Sequence, residues 1–394
     1  MSQKQKFKLG EFLADSISVL GAEAVDIEAG FPVADWVNIK RFTGALGDNN
    51  PLYIDPAYGA TTYHYTMIAP PTFVIGMRVP ASNGPFEMKN YGEAANLLES
   101  VELTWFDTIP LAAKLNSTLK ITGACLKTMA YGDLSARECA CLTSSAEYFK
   151  GNGELVAVGT GLKNFIPFDK GDEWVLEREL HRYSDEEIKK IEDDTDTLLN
   201  RGKRGSQPRY WSDVKAGDEL PFIVKGPMTL DDQMAWITAE GRTLLLGALV
   251  YKDLLENRPG AIRSMPTTGW PYYDHDQEFE DVLACRDLGF KNANPGRGIM
   301  RVALAGQLLT DWMSDAGFLR SLSVTLPAPW VYGDTMWLTG FVTKTYREAI
   351  GNELYHAVEV DITGTNQLQE TVLTGTAKVF LPEPGRSVNL PVPC

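Results

Sequence analysis

The chain is short of the residues that build covalent or metal-bound frameworks: 5 cysteines and 4 histidines in 394 residues. Cys125, Cys139, Cys141, Cys285 and Cys394 are too few and too scattered for a disulfide scaffold. Cys139 and Cys141, two apart in ARECACLT, share one face of a strand and read as small core side chains. Neither CxxC nor HExxH occurs, so no metal site is expected. No apolar run reaches the length of about 18 residues that a membrane-spanning helix needs. The basic opening MSQKQKFKLGEFLADS lacks the apolar centre of a signal peptide, so a cytoplasmic protein with no membrane partner is expected. Cations are outnumbered as well, 37 Lys and Arg against 52 Asp and Glu, for a net charge of -15. Nucleic acid is therefore not an expected partner, because phosphate backbones are held by clustered Lys and Arg. A small phosphate-bearing molecule needs only a few local cations and stays admissible.

What is present is ordinary globular composition, 44% hydrophobic and 23% charged, in a length that suits two domains. Trp36, Val37, Ile39 and Phe42 recur at helical spacing and predict a helix over 34–46. The compact apolar run TFVIGM at 72–77 predicts the buried start of a second helix. Strand-like segments follow it, SVELTWFDT, AKLNSTLKITGACL, LSARECACLTSSAEYF and ELVAVGTGLKNFI, with Gly-Asn-Gly at 151–153 as a hairpin turn between the last two. Residues 166–209 read as a charged connector, with a capping box at Ser184 and Glu187 opening a helix and a solvated basic run RGKRGSQPR after it. From Tyr210 the pattern restarts. GIMRVALAGQLLTDWMSD, 298–315, has Ile299, Met300, Ala303, Leu304, Leu308, Trp312 and Met313 on a broad apolar face and would be about 27 Å long. Strands again follow. Helix then antiparallel strands, twice, is an internal repeat of the α+β class.

Polar chemistry concentrates in FTGALGDNNPLYIDPAYGATTYHYTMIAPPTF, Phe42 to Phe73. Gly47-Asp48 precedes an Asn-Asn-Pro turn, and Tyr53 and Asp55 stand on its far side. This order of Asp48, Asn50, Pro51 and Asp55 resembles the MaoC-like, R-specific enoyl-CoA hydratase group. With Tyr53 where that group carries its catalytic His, and the run Ala69-Pro70-Pro71-Thr72-Phe73, it resembles more closely the branch called FAS1-like dehydratases. The resemblance implies two fused hotdog domains, each an antiparallel sheet wrapped around a central helix. The expected boundaries are 1–165 and 210–394, with the linker 166–209 between them, and a homodimer is expected.

It also implies the chemistry: hydration of 2-enoyl and dehydration of 3-hydroxyacyl thioesters, carried by coenzyme A or an acyl carrier protein, with no cofactor beyond the coenzyme A of the substrate. Asp48 is the expected general base and acid, oriented by Tyr53 and Asn50, with His64 as an additional candidate and Asp55 on the substrate. The oxyanion donor is expected at a helix start: Thr72 in the first half, since Pro70 and Pro71 have no N–H, or Gly298 with Arg301 one turn in. Phe42 to Asp48 falls on Trp236 to Arg242 when the halves are overlaid, so the second half has lost the Gly-Asp carboxylate. Its DHD at 274–276 makes His275 and Asp276 secondary catalytic candidates. A thioester-binding subunit without activity and a hotdog thioesterase are the alternatives.

Overall fold

The computed structural model describes residues 6–24, 30–169, 172–201, 205–241, 252, 256–264, 269, 271–273, 282–291 and 295–394. Four long strands of the first half, β1 (Ala94–Trp105), β2 (Leu115–Tyr131), β3 (Leu134–Lys150) and β4 (Leu155–Pro167), precede β5 (Leu176–Glu177) and β6 (Ile223–Lys225). Then come β7 (Ile262–Ser264), β8 (Pro271–Tyr273), β9 (Phe290–Lys291) and the second set, β10 (Phe318–Thr325), β11 (Met336–Ile350), β12 (Glu353–Asn366) and β13 (Thr371–Phe380). Nine of them make one sheet in the order β2-β3-β4-β1-β10-β13-β12-β11-β6. The halves meet where β1 pairs antiparallel with β10, from Ser100 opposite Thr325 to Thr104 opposite Ser321. The hairpin at 151–153 closes with Lys150 N donating to Glu154 O at 2.9 Å, and Gly153 takes the left-handed backbone that the turn requires.

Trp36–Leu46 and Leu230–Ala239 are equivalent helices of the two halves. Asp35 caps the first by accepting from Asn38 N at 2.8 Å, and Thr229 with Asp232 forms a capping box on the second. They touch through Phe42 and Trp236, ring centroids 5.6 Å apart. The connector packs closely on the second half. Its helix Asp185–Asn200 has both bonds of the expected capping box; Tyr183 Oη donates to Gly333 O at 2.8 Å, and Arg178 pairs with the buried Asp334 at 3.0 Å.

The central helices differ between the halves. In the second half Gly298–Met313 runs 16 residues, and every side chain from Ile299 to Met313 is buried. It is enclosed on all sides, so its polar residues Gln307, Thr310 and Asp311 are inside along with the predicted apolar face. In the first half the expected central helix is a stub, a 3-10 turn at Pro71–Phe73 followed by Val74–Met77. Pro80, Gly84 and Pro85 follow within eight residues, and proline inside a helix removes a backbone donor and clashes with the preceding turn. The stub rests on the middle of the long helix: a Cβ placed on Gly306 would lie 2.4 Å from the Thr72 methyl. Beyond the stub, among the described residues, no central helix covers the inner face of the first sheet; helix Leu9–Ser18 packs over part of it, Phe12 meeting Ala140, Leu142 and Phe165, and the rest of the face is left uncovered.

Candidate functional site

That uncovered face is one wall of a cleft of about 380 Å³. Leu97 and Leu98 of β1 and Leu119 and Ile121 of β2 give it an apolar floor. The opposite wall is the start of the long helix, from Pro295 to Ile299, together with Arg301. An apolar trough ending on the positive end of a helix dipole suits a molecule with a greasy body and an electron-rich end.

The polar groups of the cleft lie in two sets. At the helix start, Arg297 Nη1 donates to Glu240 Oε2 at 3.2 Å, and Trp236 Nε1 donates to the other oxygen of the same carboxylate at 2.5 Å. Arg301, 4% exposed, donates from Nη1 to Ala328 O at 2.7 Å and to Val372 O. Burial pulls its pKa down to about 10, which leaves it charged at neutral pH, and burial pushes the nearby Tyr131 hydroxyl up to about 12. On the first-half side, Arg258 pairs with Glu87 at 2.8 Å, and Asn83 donates to Glu87 at 2.8 Å. Asn83 Oδ1 in turn accepts from Asn96 at 2.8 Å and from Lys163 at 2.6 Å. Among the described lining residues Arg78, Lys163, Arg258, Arg297 and Arg301 face Glu23, Glu87 and Glu240, so the wall is cationic in an acidic chain.

Of the expected site residues, Gly298 and Arg301 line this cleft, and Asp48, Asn50, Tyr53, Asp55 and Thr72 do not. The Asp48 carboxylate is 5% exposed and accepts from Asn50 N at 2.9 Å, with the Lys225 ammonium beside Gly47. Asn50, expected to orient a reacting group, instead caps Pro51–Ile54 by accepting from Leu52 N at 3.1 Å. Asp55, expected on the substrate, is exposed and caps Pro56–Thr61 by accepting from Ala57 N at 2.9 Å. Asn and Asp before proline are strong helix caps, and local backbone donors have claimed both side chains. Thr72 stands at the start of the first-half stub, where the sequence places it, but its side chain packs against Gly306 and it does not line this cleft. His275 and Asp276 lie outside the described residues.

Tyr53 and His64 instead border a second, small cavity of about 20 Å³ with Asp315, just past the far end of the long helix. Tyr53 is fully buried, its pKa far above the usual range through burial and the neighbouring Asp48 and Asp315. Burial keeps His64 neutral, with Nε2 3.2 Å from Asp315 O. Burial also raises the Asp315 carboxyl, against the Tyr58 hydroxyl that donates to it at 2.6 Å. A carboxyl raised by folding contributes stability that is complete below its unfolded pKa and is lost as pH climbs through the folded value. Asp315→Asn is therefore expected to raise the melting temperature at pH 7 and to lose that advantage towards pH 4; an equal shift at both pH values would show that the buried charge is not what the substitution relieves.

Glu240, Arg297, Arg258, Asn83 and Lys163 were not found from the sequence. Gly296-Arg297-Gly298 at a helix start was the one local signal. The other residues meet across long separations, Arg258 and Glu87 being 171 positions apart.

The architecture defines the class: a double hotdog, with two sheets fused edge to edge and one complete central helix. Residues 33–109 match the family described as FAS1-like, dehydratase domain region. A solved MaoC-like dehydratase superposes with a TM-score of 0.60 at 14% identity, over 92% of this chain and 99% of that one. A putative MaoC domain protein dehydratase from Chloroflexus aurantiacus J-10-fl gives 0.51 at 13% identity, over 91% and 96%. UPF0336 protein Franean1_6066 of Parafrankia sp. (strain EAN1pec) is 27% identical over 124 residues, 31% of this chain and 77% of that protein. The first half thus carries a FAS1-like dehydratase region, and the chain as a whole shares the double hotdog fold of the MaoC-like dehydratases. Among the described residues no helix is long and apolar enough to cross a membrane, and no group of three or more His, Cys, Asp or Glu side chains could hold a metal ion.

Proposed function

We propose that the protein interconverts 2-enoyl and 3-hydroxyacyl thioesters of coenzyme A in the cleft at the start of helix Gly298–Met313. The observation that carries this reading is the meeting of an apolar trough with an uncovered helix start. The first N–H groups of a helix have no acceptor within it, so a thioester oxygen can take their hydrogen bonds and the enolate charge that develops on it. Gly298 lets the helix start pack closely on the sheet, since a Cβ there would lie 2.9 Å from Leu326. Water adds its oxygen to C3 and a proton goes to C2, a redox-neutral change that needs acid–base groups and an oxyanion site. Glu240 is the described carboxylate that the fold ties to the helix start, through Arg297. His275 and Asp276 are further candidates.

The assay is loss of the conjugated enoyl-thioester absorbance with crotonyl-CoA and bulkier enoyl-CoAs. Glu240→Gln is expected to lower kcat about 100-fold or more, in the range of a lost acid–base group, with KM little changed, while Asp48→Asn stays within a few-fold of wild type. The reverse pattern would return the base to Asp48. Tight binding with no turnover would favour a non-catalytic thioester-binding subunit, a reading supported by Tyr53 standing where the family has His. Release of free thiol would identify a thioesterase.

A further inference from the structure

We infer that the inner end of the cleft is a permanent anion site, and that the acyl group it receives carries a carboxylate of its own, so that the substrate is the thioester of a dicarboxylic acid. This rests on the thioester reading above. Arg301 carries the argument. It is buried, it lines the cleft, and it has no carboxylate within ion-pair distance among the described residues. Its Nη1 donates to two backbone carbonyls, and its Nε has no hydrogen-bond partner. Carbonyls satisfy donors without cancelling charge, and a buried cation lacking an anion destabilises the state that holds it.

The surroundings add to that charge. Arg301 stands one turn into a 16-residue helix, where the dipole is positive. The neighbouring Arg297 is already matched by Glu240 at 3.2 Å, so that carboxylate is engaged elsewhere. Tyr131, at the end of β2 on the sheet side of the cleft and close to Arg301, adds a hydroxyl able to donate. An enolate oxygen would supply negative charge only during the reaction, whereas Arg301 is charged in the resting protein. The phosphates of coenzyme A do not reach this point, because the pantetheine arm separates them from the thioester that must sit at the helix start. A carboxylate on the acyl group is the anion that travels with the substrate into the cleft, and guanidinium with a helix start is the pairing that planar carboxylates favour.

The experiment compares glutaryl-CoA with pentanoyl-CoA, five-carbon acyl groups that differ in a terminal carboxylate, by titration calorimetry on the full chain. Glutaryl-CoA is expected to bind about 10-fold or more tighter, the worth of one charge-assisted bond. Arg301→Met should abolish the difference, bringing glutaryl-CoA to the affinity that the same variant has for pentanoyl-CoA, and Arg301→Lys should keep part of it. Equal wild-type affinity for the two ligands, or a preference that survives in Arg301→Met, would overturn the anion site. If Arg301→Met does not fold, the wild-type pair and Arg301→Lys decide, and a full glutaryl preference retained in the lysine variant counts against the guanidinium. Turnover is read separately with the matching enoyl-CoAs. Failure to hydrate them with the glutaryl preference intact sinks the reaction and leaves the site standing.

Discussion

Gly306→Val is expected to cost the protein its stability before anything else is measured. Position 306 sits in the middle of the helix that both halves pack against, and even a single added carbon would come within 2.4 Å of the Thr72 methyl. Thr72 belongs to the short first-half stub and is itself buried, so neither side has room to give. Overpacking of this kind typically costs about 1–3 kcal/mol, and valine adds two methyl groups beyond alanine. Thermal melts of Gly306→Ala, alone and with Thr72→Ser, test the contact itself. Removal of the Thr72 methyl should return much of the loss, as a coupling of about 0.5–3 kcal/mol in the double-mutant cycle. Additive losses would mean that the two elements do not bear on each other at that point.

The second large effect is on binding. Leu98→Trp is expected to weaken acyl-CoA affinity about 100-fold, roughly 2.7 kcal/mol, with little change in the melting temperature. Leu98 lies on β1 in the floor of the cleft, and its side chain is 3.4 Å from where a Cβ on Gly298 would be. An indole there would occupy the space in front of the helix start, where a thioester has to sit. The residue is only partly buried, so the larger side chain can be housed by filling the cleft instead of straining the core. Wild-type affinity in a folded Leu98→Trp protein would move the binding site elsewhere.

Much of the architecture was legible because it is written in short-range periodicity. The helices Trp36–Leu46 and Gly298–Met313, the alternating strands and the Gly-Asn-Gly hairpin all have local causes. TFVIGM misled for the same reason: its apolar residues are those of a buried helix, and the breakers that stop it, Pro80, Gly84 and Pro85, come later. The site was legible only in part. Gly298 and Arg301 could be found because a glycine at a helix start and a cation one turn in have a local chemical meaning. The Asp48 loop is dense in polar residues, yet Asn50 and Asp55 serve as helix caps and Asp48 accepts from a backbone N–H two residues on. Glu240 and Arg297 lie 57 residues apart and meet only through the tertiary fold. No periodicity or spacing announces such a pair.

The junction of β1 with β10 has a consequence for how such a cleft can arise at all. Two identical subunits joined along the same edge would share every deletion, so trimming one core helix would remove both and leave nothing for the sheets to enclose. Covalent fusion breaks that equivalence. One copy can shed its helix to make room while its twin keeps the whole interior standing, a division of labour that no symmetric pair can reach.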